Sequence, residues 1–337
     1  MLYCQENAVC SEAGLNFRLH STGEQSTGCG LTENETYRPT LLEYSVATLL
    51  TLNTMTNVEV HTEMMSITHQ EFIAIRDLVY DRFGIALSDQ KKNLVVSRLQ
   101  KILRERGFNN FKQYYDQLVA DKSNKAISEL ANQITTNHTF FFREPDHFDF
   151  FKQTILPEMV QRHKSINSKD LRLWCAAASS GEEPYTIIIS MMEYFGADYA
   201  NWDIGLLCTD ISEKALVQAK SAVYDKTRLQ SVPPEILKKY FVLDGSNWAV
   251  NDAVKKEAVI RRFNLMNKVL PFKKQFDCIW CRNVMIYFDN ETKIDLVNRM
   301  YKQVVNGGYL LVGHSETLGR DQTPWKYIKP AVYRKEE

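Results

Sequence analysis

The sequence predicts an α/β protein in three parts: a small all-α domain, a Rossmann-like open sheet, and a small β-subdomain inserted into that sheet. Leu171 to Ala178 is a short apolar run of the kind a buried parallel strand needs. It enters a turn of small residues, Ser179-Ser-Gly181, which opens a helix. From there to the C-terminus, short apolar runs alternate with segments of helical period. Upstream, residues 66–136 carry only helical patterns. At 337 residues the chain is long enough for two domains.

In chain order, residues 1–64 are weakly patterned, rich in Thr, Ser, Asn and Glu, and read as an unassigned flexible extension. Thr68-His-Gln-Glu71 is a capping box, with Phe72, Ile75, Val79 and Phe83 on one helical face and Gly84 as the stop. Ser88 is the expected cap of a second helix, with Val95, Leu99, Ile102 and Leu103 inward. Arg98, Lys101 and Arg104 fall on another face of it. Such charge is more often a solvated face than a docking surface. Two further helices are expected near 110–120 and 123–134, closing a helical domain over 65–136.

Thr136 to Phe151 places three adjacent phenylalanines, Phe140, Phe141 and Phe142, among Asn137, Thr139, Arg143 and Glu144. Three neighbours cannot all face one core. The segment reads either as an aromatic hinge or as a lid that stacks on a flat ligand while Arg143 reaches an anion. Next comes the strand–turn–helix, with Pro184 suited to a first helical position and Gly196 as the stop. Trp202–Thr209 is a second strand ending at Asp210, where this architecture binds ribose hydroxyls, and a helix runs from Ser212 through Ala222. Residues 223–262 break the alternation and read as the inserted subdomain. Phe263-Asn-Leu-Met266 returns to the main pattern, and the run to Phe288 is a strand and loop. Asp289 or Asn290 caps a helix with Val297, Met300, Tyr301 and Val304 inward. Gly307-Gly308 turns into a strand ending at His314-Ser-Glu316, and Tyr327–Tyr333 is an edge strand.

The central turn lacks the full glycine pattern of a dinucleotide site. Gly181 is its one glycine, and Glu182 and Glu183 follow at once. Carboxylates cap a helix start well but repel a pyrophosphate. They suit a ligand with hydroxyls, an amine or a positive sulfonium, all three of which S-adenosylmethionine carries. A capped helix in any α/β protein is the plainer meaning of this stretch alone.

Equal counts of 41 basic and 41 acidic residues disfavour a nucleic-acid binder. No run of 18 apolar residues exists, and the N-terminus has neither a basic start nor an apolar core, so a cytoplasmic protein without membrane insertion is expected. The seven cysteines are scattered, which argues against a disulfide framework. Cys278 and Cys281 sit on an apolar strand pattern that points them to opposite faces, so they read as packing residues, and no metal site is expected.

Taken together, N-x-T-x-F-F-R, S-S-G-E-E-P-Y, T-D-I-S, F-N-L, C-R-N-V-M-I-Y-F and G-H-S-E resemble the motifs of the CheR-type chemotaxis receptor methyltransferases, in the same order, over about residues 65–335. The resemblance implies S-adenosylmethionine as methyl donor, with S-adenosylhomocysteine as product. It implies glutamate side chains on the cytoplasmic helices of methyl-accepting chemotaxis receptors as acceptors, and a monomer. By the same resemblance Asn137, Thr139 and Arg143 cover the cofactor, and Glu183 is the acidic contact of the turn. Asp210 binds the ribose, and Asn264 and Leu265 flank the adenine. Cys281 and Arg282 line the methionine end, and Tyr287 stands beside the transferred methyl. Arg143 and Tyr287 are the expected catalytic pair; His138 and His147 read as structural or incidental. Ser180 stands where a threonine is usual and keeps the hydroxyl. The receptor-docking surface is expected on Arg98, Lys101 and Arg104. The short loop around Gly245 suggests no dependence on a receptor tail peptide. A same-fold enzyme on another substrate and a non-catalytic cofactor sensor are the alternatives. Arg282-Asn283-Val284-Met285 lacks the proline of DNA amino-methyltransferases, which counts against that class.

Overall fold

The computed structural model describes residues 65–123, 125–135, 137–319 and 321–336, and the expected extension over 1–64 lies outside them. The N-terminal helices follow their sequence signals. Helix α1 (His69–Phe83) starts at Thr68, whose hydroxyl accepts the Glu71 N–H while the Glu71 carboxylate accepts the Thr68 N–H. It ends at Gly84 in the left-handed conformation. Ser88, the expected cap of the next helix, instead precedes a 3₁₀ turn, Asp89–Lys91, and makes no cap bond. Helix α2 (Lys92–Glu105) buries Val95, Leu99, Ile102 and Leu103. α3 (Phe111–Ala120) and α4 (Lys125–Ile134) complete the helical part.

α5 (Pro145–Phe150) passes through a π-helical turn, Phe151–Ile155, into α6 (Leu156–Ser165). The main alternation is β1 (Asp170–Ala176), α7 (Glu182–Phe195), β2 (Asp203–Asp210) and α8 (Glu213–Ser221). The insert follows as β3 (Val223–Tyr224), α9 (Pro234–Tyr240), β4 (Phe241–Asp244), β5 (Asn247–Val250) and α10 (Asp252–Lys255). The chain returns with β6 (Ala258–Arg262), β7 (Phe276–Trp280), α11 (Asn290–Lys302), β8 (Val304–Leu311), β9 (Lys326–Lys329) and β10 (Val332–Arg334).

The main sheet has the order β6-β2-β1-β7-β8-β10-β9. Its first five strands are parallel and the last two antiparallel. β1 is central, with Leu173 opposite Leu206 of β2 and Cys278 of β7. The chain winds outward from β1 through β2 to β6, then crosses to β7. The crevice at the carboxyl ends of β1 and β7 is therefore the topological switch point, where ligands of such sheets bind. The inserted strands form a separate antiparallel sheet, β3-β5-β4.

Four local expectations are corrected. β6 belongs to the main sheet, not the insert; as an edge strand it carries exposed Val259, Arg261 and Arg262, which hides its strand character in the sequence. Gly307 and Gly308 lie inside β8, where the register against β7 slips between Phe276 and Cys278, so the glycines form an irregularity and not a turn; Val304 starts this strand rather than extending the α11 face. Tyr327–Tyr333 is a hairpin, β9 and β10, rather than one strand. Pro184 is the third residue of α7, a position whose N–H would still lack an intrahelical partner. Cys278 and Cys281 do face opposite ways: each is fully buried, in a different one of the two core clusters flanking the sheet.

Candidate active site

A cleft of about 920 Å³, open solvent at its mouth included, lies over the carboxyl ends of β1, β2 and β7. Asn137, Thr139, Arg143, Glu183, Asp210, Asn264, Leu265, Arg282 and Tyr287 all line it.

The β1–α7 turn forms one wall. Its backbone is left-handed at Ala177 (φ 90°), Ser179 (φ 49°) and Gly181 (φ 100°), so strain is concentrated here. Gly181 is required twice over: a Cβ there would meet Tyr224 Oη at 2.8 Å and Ala219 Cα at 3.0 Å. The insert supports the turn from behind. Tyr224 donates to the Ser180 carbonyl at 2.8 Å, and Arg228 pairs with the fully buried Glu182, which also accepts from Ser180 Oγ at 2.7 Å. Asp210, at the end of β2, clamps the turn from the other side. Its two carboxylate oxygens accept the N–H groups of Ser179 and Ser212, each at 2.8 Å. Burial pushes its pKa up, with those N–H bonds opposing. The Ser179 hydroxyl is buried and has no partner among the described residues.

Arg282 is the structural centre of the opposite wall. Its side chain is fully buried beside the stacked rings of Phe148 and Trp280, 5.6 and 5.7 Å from their centroids. Nη2 donates to the Arg143 carbonyl (2.7 Å) and Glu144 Oε2 (2.9 Å), and Nη1 donates to Glu183 Oε2 (2.8 Å). Burial pushes the Glu183 carboxyl up despite Arg282. For Glu144 burial acts the same way, but the Arg282 charge and hydrogen bond prevail and hold it below the usual range. Arg143 is aimed by its neighbours: Phe142 (φ 56°) and Glu144 (φ 59°) are both left-handed. Its guanidinium donates to the His138 carbonyl at 2.7 Å and lies 6.0 Å from the Phe140 ring centroid.

Several expected roles shift. Cys281, expected in the methionine-end wall, is fully buried in the core and does not line the cleft; its position just past β7 turns it to the face opposite Cys278. The three phenylalanines do not form a stacking lid. Phe141 is buried against Tyr224 and Phe241, and Phe140 and Phe142 are half-buried, so they anchor the segment while Asn137, His138, Thr139 and Arg143 face the cleft. His138 is thus part of the wall. His147 is fully buried and held to a pKa of about 4 by burial and by Arg282. Asn264 is committed at both ends of its amide, donating to the Arg82 carbonyl (2.8 Å) and accepting the Met266 N–H (3.0 Å). It fastens its loop to the end of α1. Arg98, Lys101 and Arg104 lie outside the cleft, and Arg98 is half-buried, donating to the carbonyls of Gln133 and Ile134 at the end of α4.

The sequence reading missed Phe83, Ile85 and Thr135, which the helical part brings to the cleft. Ile85 forms a β-bridge with Phe288, and the Ala86 N–H donates to the Tyr287 carbonyl at 2.8 Å. Nothing local marks such a contact. Ser179 and Asn283 also line the cleft, and both stand inside quoted motifs. The donor set suits S-adenosylmethionine: a carboxylate for a diol, an acidic residue and an unpartnered hydroxyl for an amine, and apolar Ile211, Phe263 and Leu265 for a flat base.

Comparison with known proteins agrees with this geometry. Residues 70–135 match the family described as CheR methyltransferase, all-alpha domain, and residues 137–333 match CheR methyltransferase, SAM binding domain. A chemotaxis protein methyltransferase of Borreliella burgdorferi is 40% identical over 80% of this chain and 96% of its own length. Those of Salmonella typhimurium and Escherichia coli are 34% and 32% identical, over 76% and 81% of this chain and 87% and 93% of their own lengths. With an all-α part, a parallel sheet and a cleft at its switch point in the expected places, the chain belongs to the CheR family of S-adenosylmethionine-dependent methyltransferases.

Proposed function

We propose that this methyltransferase acts in chemotaxis adaptation, esterifying glutamate side chains on the cytoplasmic helices of chemotaxis receptors, and that it works as a cytoplasmic monomer. No described helix is long and apolar enough to cross a membrane. The observation that supports the acceptor class is the convergence of Arg143 and Tyr287 on the cleft that also holds Asp210 and Glu183. In this reading Asp210 binds the ribose diol and Glu183 with Ser179 the amino-acid end. Leu265 and the Asn264 loop flank the base, and Asn137 and Thr139 cover it.

When bound, the cofactor supplies an electrophilic methyl on a sulfonium. The acceptor carboxylate, with an ordinary pKa of about 4.3, is ionised at neutral pH and is already a nucleophile, so the chain supplies no general base. Its work is positioning and exclusion of water. Arg143 orients the carboxylate; its bond to the His138 carbonyl tempers a tight bidentate pair that would quench the nucleophile. Tyr287 donates a hydrogen bond to it. A non-catalytic sensor would have no need of this pair. The test is labelled S-adenosylmethionine with receptor-containing membranes: base-labile label on receptor is expected, and base-stable label or none would refute the acceptor.

Tyr287→Phe is expected to lower kcat about tenfold, the worth of one hydrogen bond of about 1.4 kcal/mol. S-adenosylhomocysteine affinity should hold, because the backbone contact of Tyr287 with Ala86 survives. Loss of cofactor affinity in step with kcat would reassign the residue.

Docking is assigned to the exposed Lys101 and Arg104. Arg98 is left out of the test because it holds the end of α4. Lys101→Glu with Arg104→Glu is expected to raise KM for receptor several-fold, at about 0.2–1 kcal/mol per exposed charge, and to flatten its salt dependence without changing cofactor affinity. An unchanged KM, with methylation lost on deleting the receptor's C-terminal peptide, would move the contact to the inserted sheet.

A further inference from the structure

We infer that Glu144, His147 and His314, with Asp146 beside His314, form a binding site for a divalent transition-metal ion of the zinc class, outside the cofactor cleft. One ligand atom from each of Glu144, His147 and His314 lies within 4.8 Å of the others. Glu144 Oε2 is 3.4 Å from His147 Nδ1 and 4.0 Å from His314 Nε2, and His314 Nε2 is 3.1 Å from Asp146 Oδ1. Tetrahedral zinc, with ligands at about 2.0–2.2 Å, holds neighbouring ligand atoms roughly 3.3–3.5 Å apart. Glu144 and His147 are already at that spacing, and His314 lies somewhat beyond it.

His147 is the independent observation. It is fully buried, and neither ring nitrogen has a hydrogen-bond partner among the described residues. Native proteins rarely leave a buried polar side chain so, and a bound ion or water is the usual partner. Its ring meets that of His314 edge-on, with centroids 4.6 Å apart. Two imidazoles with a carboxylate favour zinc or a similar ion over magnesium or calcium, which take oxygen ligands. Glu144 is held in place by hydrogen bonds, its Oε2 accepting from Arg282 Nη2 at 2.9 Å and the His314 N–H at 3.2 Å and its Oε1 from Asn283 Nδ2 at 3.2 Å, as the carboxylates of metal sites commonly are. Besides Arg282, two cations stand at the cluster's rim: Arg143 Nε, 3.9 Å from Glu144 Oε1, and Lys329 Nζ, 4.0 Å from Asp146 Oδ2, whose long side chain can leave when an ion enters. The ligands come from 144–147 and 314, a separation that forms no sequence motif.

The probe is Co²⁺ added to the full chain, followed by its visible spectrum and by equilibrium dialysis, with Zn²⁺ as competitor. Expected are visible bands of a tetrahedral nitrogen–oxygen site without thiolate charge transfer, displaced by Zn²⁺. His314→Gln changes an exposed side chain and so keeps the fold. It should weaken this binding at least tenfold, and His147→Gln should do the same. Absence of these bands in the unsubstituted protein, thiolate bands alone, or His314→Gln binding Co²⁺ as tightly as the original chain would each overturn the site.

Discussion

Replacing Arg282 with methionine is expected to destabilise the fold by about 3–5 kcal/mol and to lower S-adenosylhomocysteine affinity by at least tenfold. The guanidinium is fully buried and serves three acceptors: the Arg143 carbonyl, Glu144 and Glu183. Removing one partner of a buried charge network leaves the others uncompensated, and that costs of this order. Methionine fills similar volume beside the Phe148–Trp280 stack, so the loss is electrostatic rather than a cavity. The pH dependence identifies the cause. Without Arg282 both carboxyls have folded pKa values raised above their unfolded ones. Stability should therefore be fullest below the unfolded glutamate pKa of about 4.3 and be lost as pH rises through the raised values. Of these two carboxyls only Glu183 is raised in the original chain, whereas Glu144 is held down. Chemical denaturation across pH measures both curves. A variant whose stability deficit is the same at every pH would show that Arg282 acts by packing alone.

Such a network marks where sequence reading stops. Features set by a few adjacent residues are legible: the Thr68 capping box, the turn that needs Gly181, the carboxylate at the end of β2. Each follows from local sterics or local hydrogen bonding. Arg282 is legible as a wall residue only through resemblance to a family, and its three-way hydrogen bonding depends on the left-handed backbone at Glu144, more than 130 residues away in sequence. Arg98 shows the opposite failure. Helical geometry correctly places it off the apolar stripe, but nothing in its own helix shows that the end of α4 lies within its reach. β6 is missed because an edge strand with two exposed arginines has no buried pattern of its own; its partner β2 supplies the register. His147 and His314 come together because α5 packs beside the loop after β8, a tertiary event without a periodic signal.

Asp210→Ala should weaken S-adenosylhomocysteine binding by about 1.5–3 kcal/mol, roughly 10- to 150-fold, since bonds to a charged acceptor carry that worth. The residue has two jobs, and substitution by alanine removes both. Its oxygens hold the Ser179 and Ser212 N–H groups, so the turn loses its clamp and two part-buried donors lose their partner. Asp210→Asn separates the jobs. One amide oxygen can still accept one of those N–H groups, while the charge that would hold a diol is gone. Alanine is therefore expected to lower both Tm and affinity, and asparagine chiefly affinity. Calorimetry with S-adenosylhomocysteine, run beside thermal unfolding of the ligand-free protein, reads the two quantities apart. If affinity in both variants fell only as far as the turn's stability did, Asp210 would be a support of Ser179 and not a ligand. An unchanged dissociation constant in Asp210→Ala would remove it from the site altogether. Loss of affinity in Asp210→Asn with unfolding little altered would place the carboxylate on the ribose.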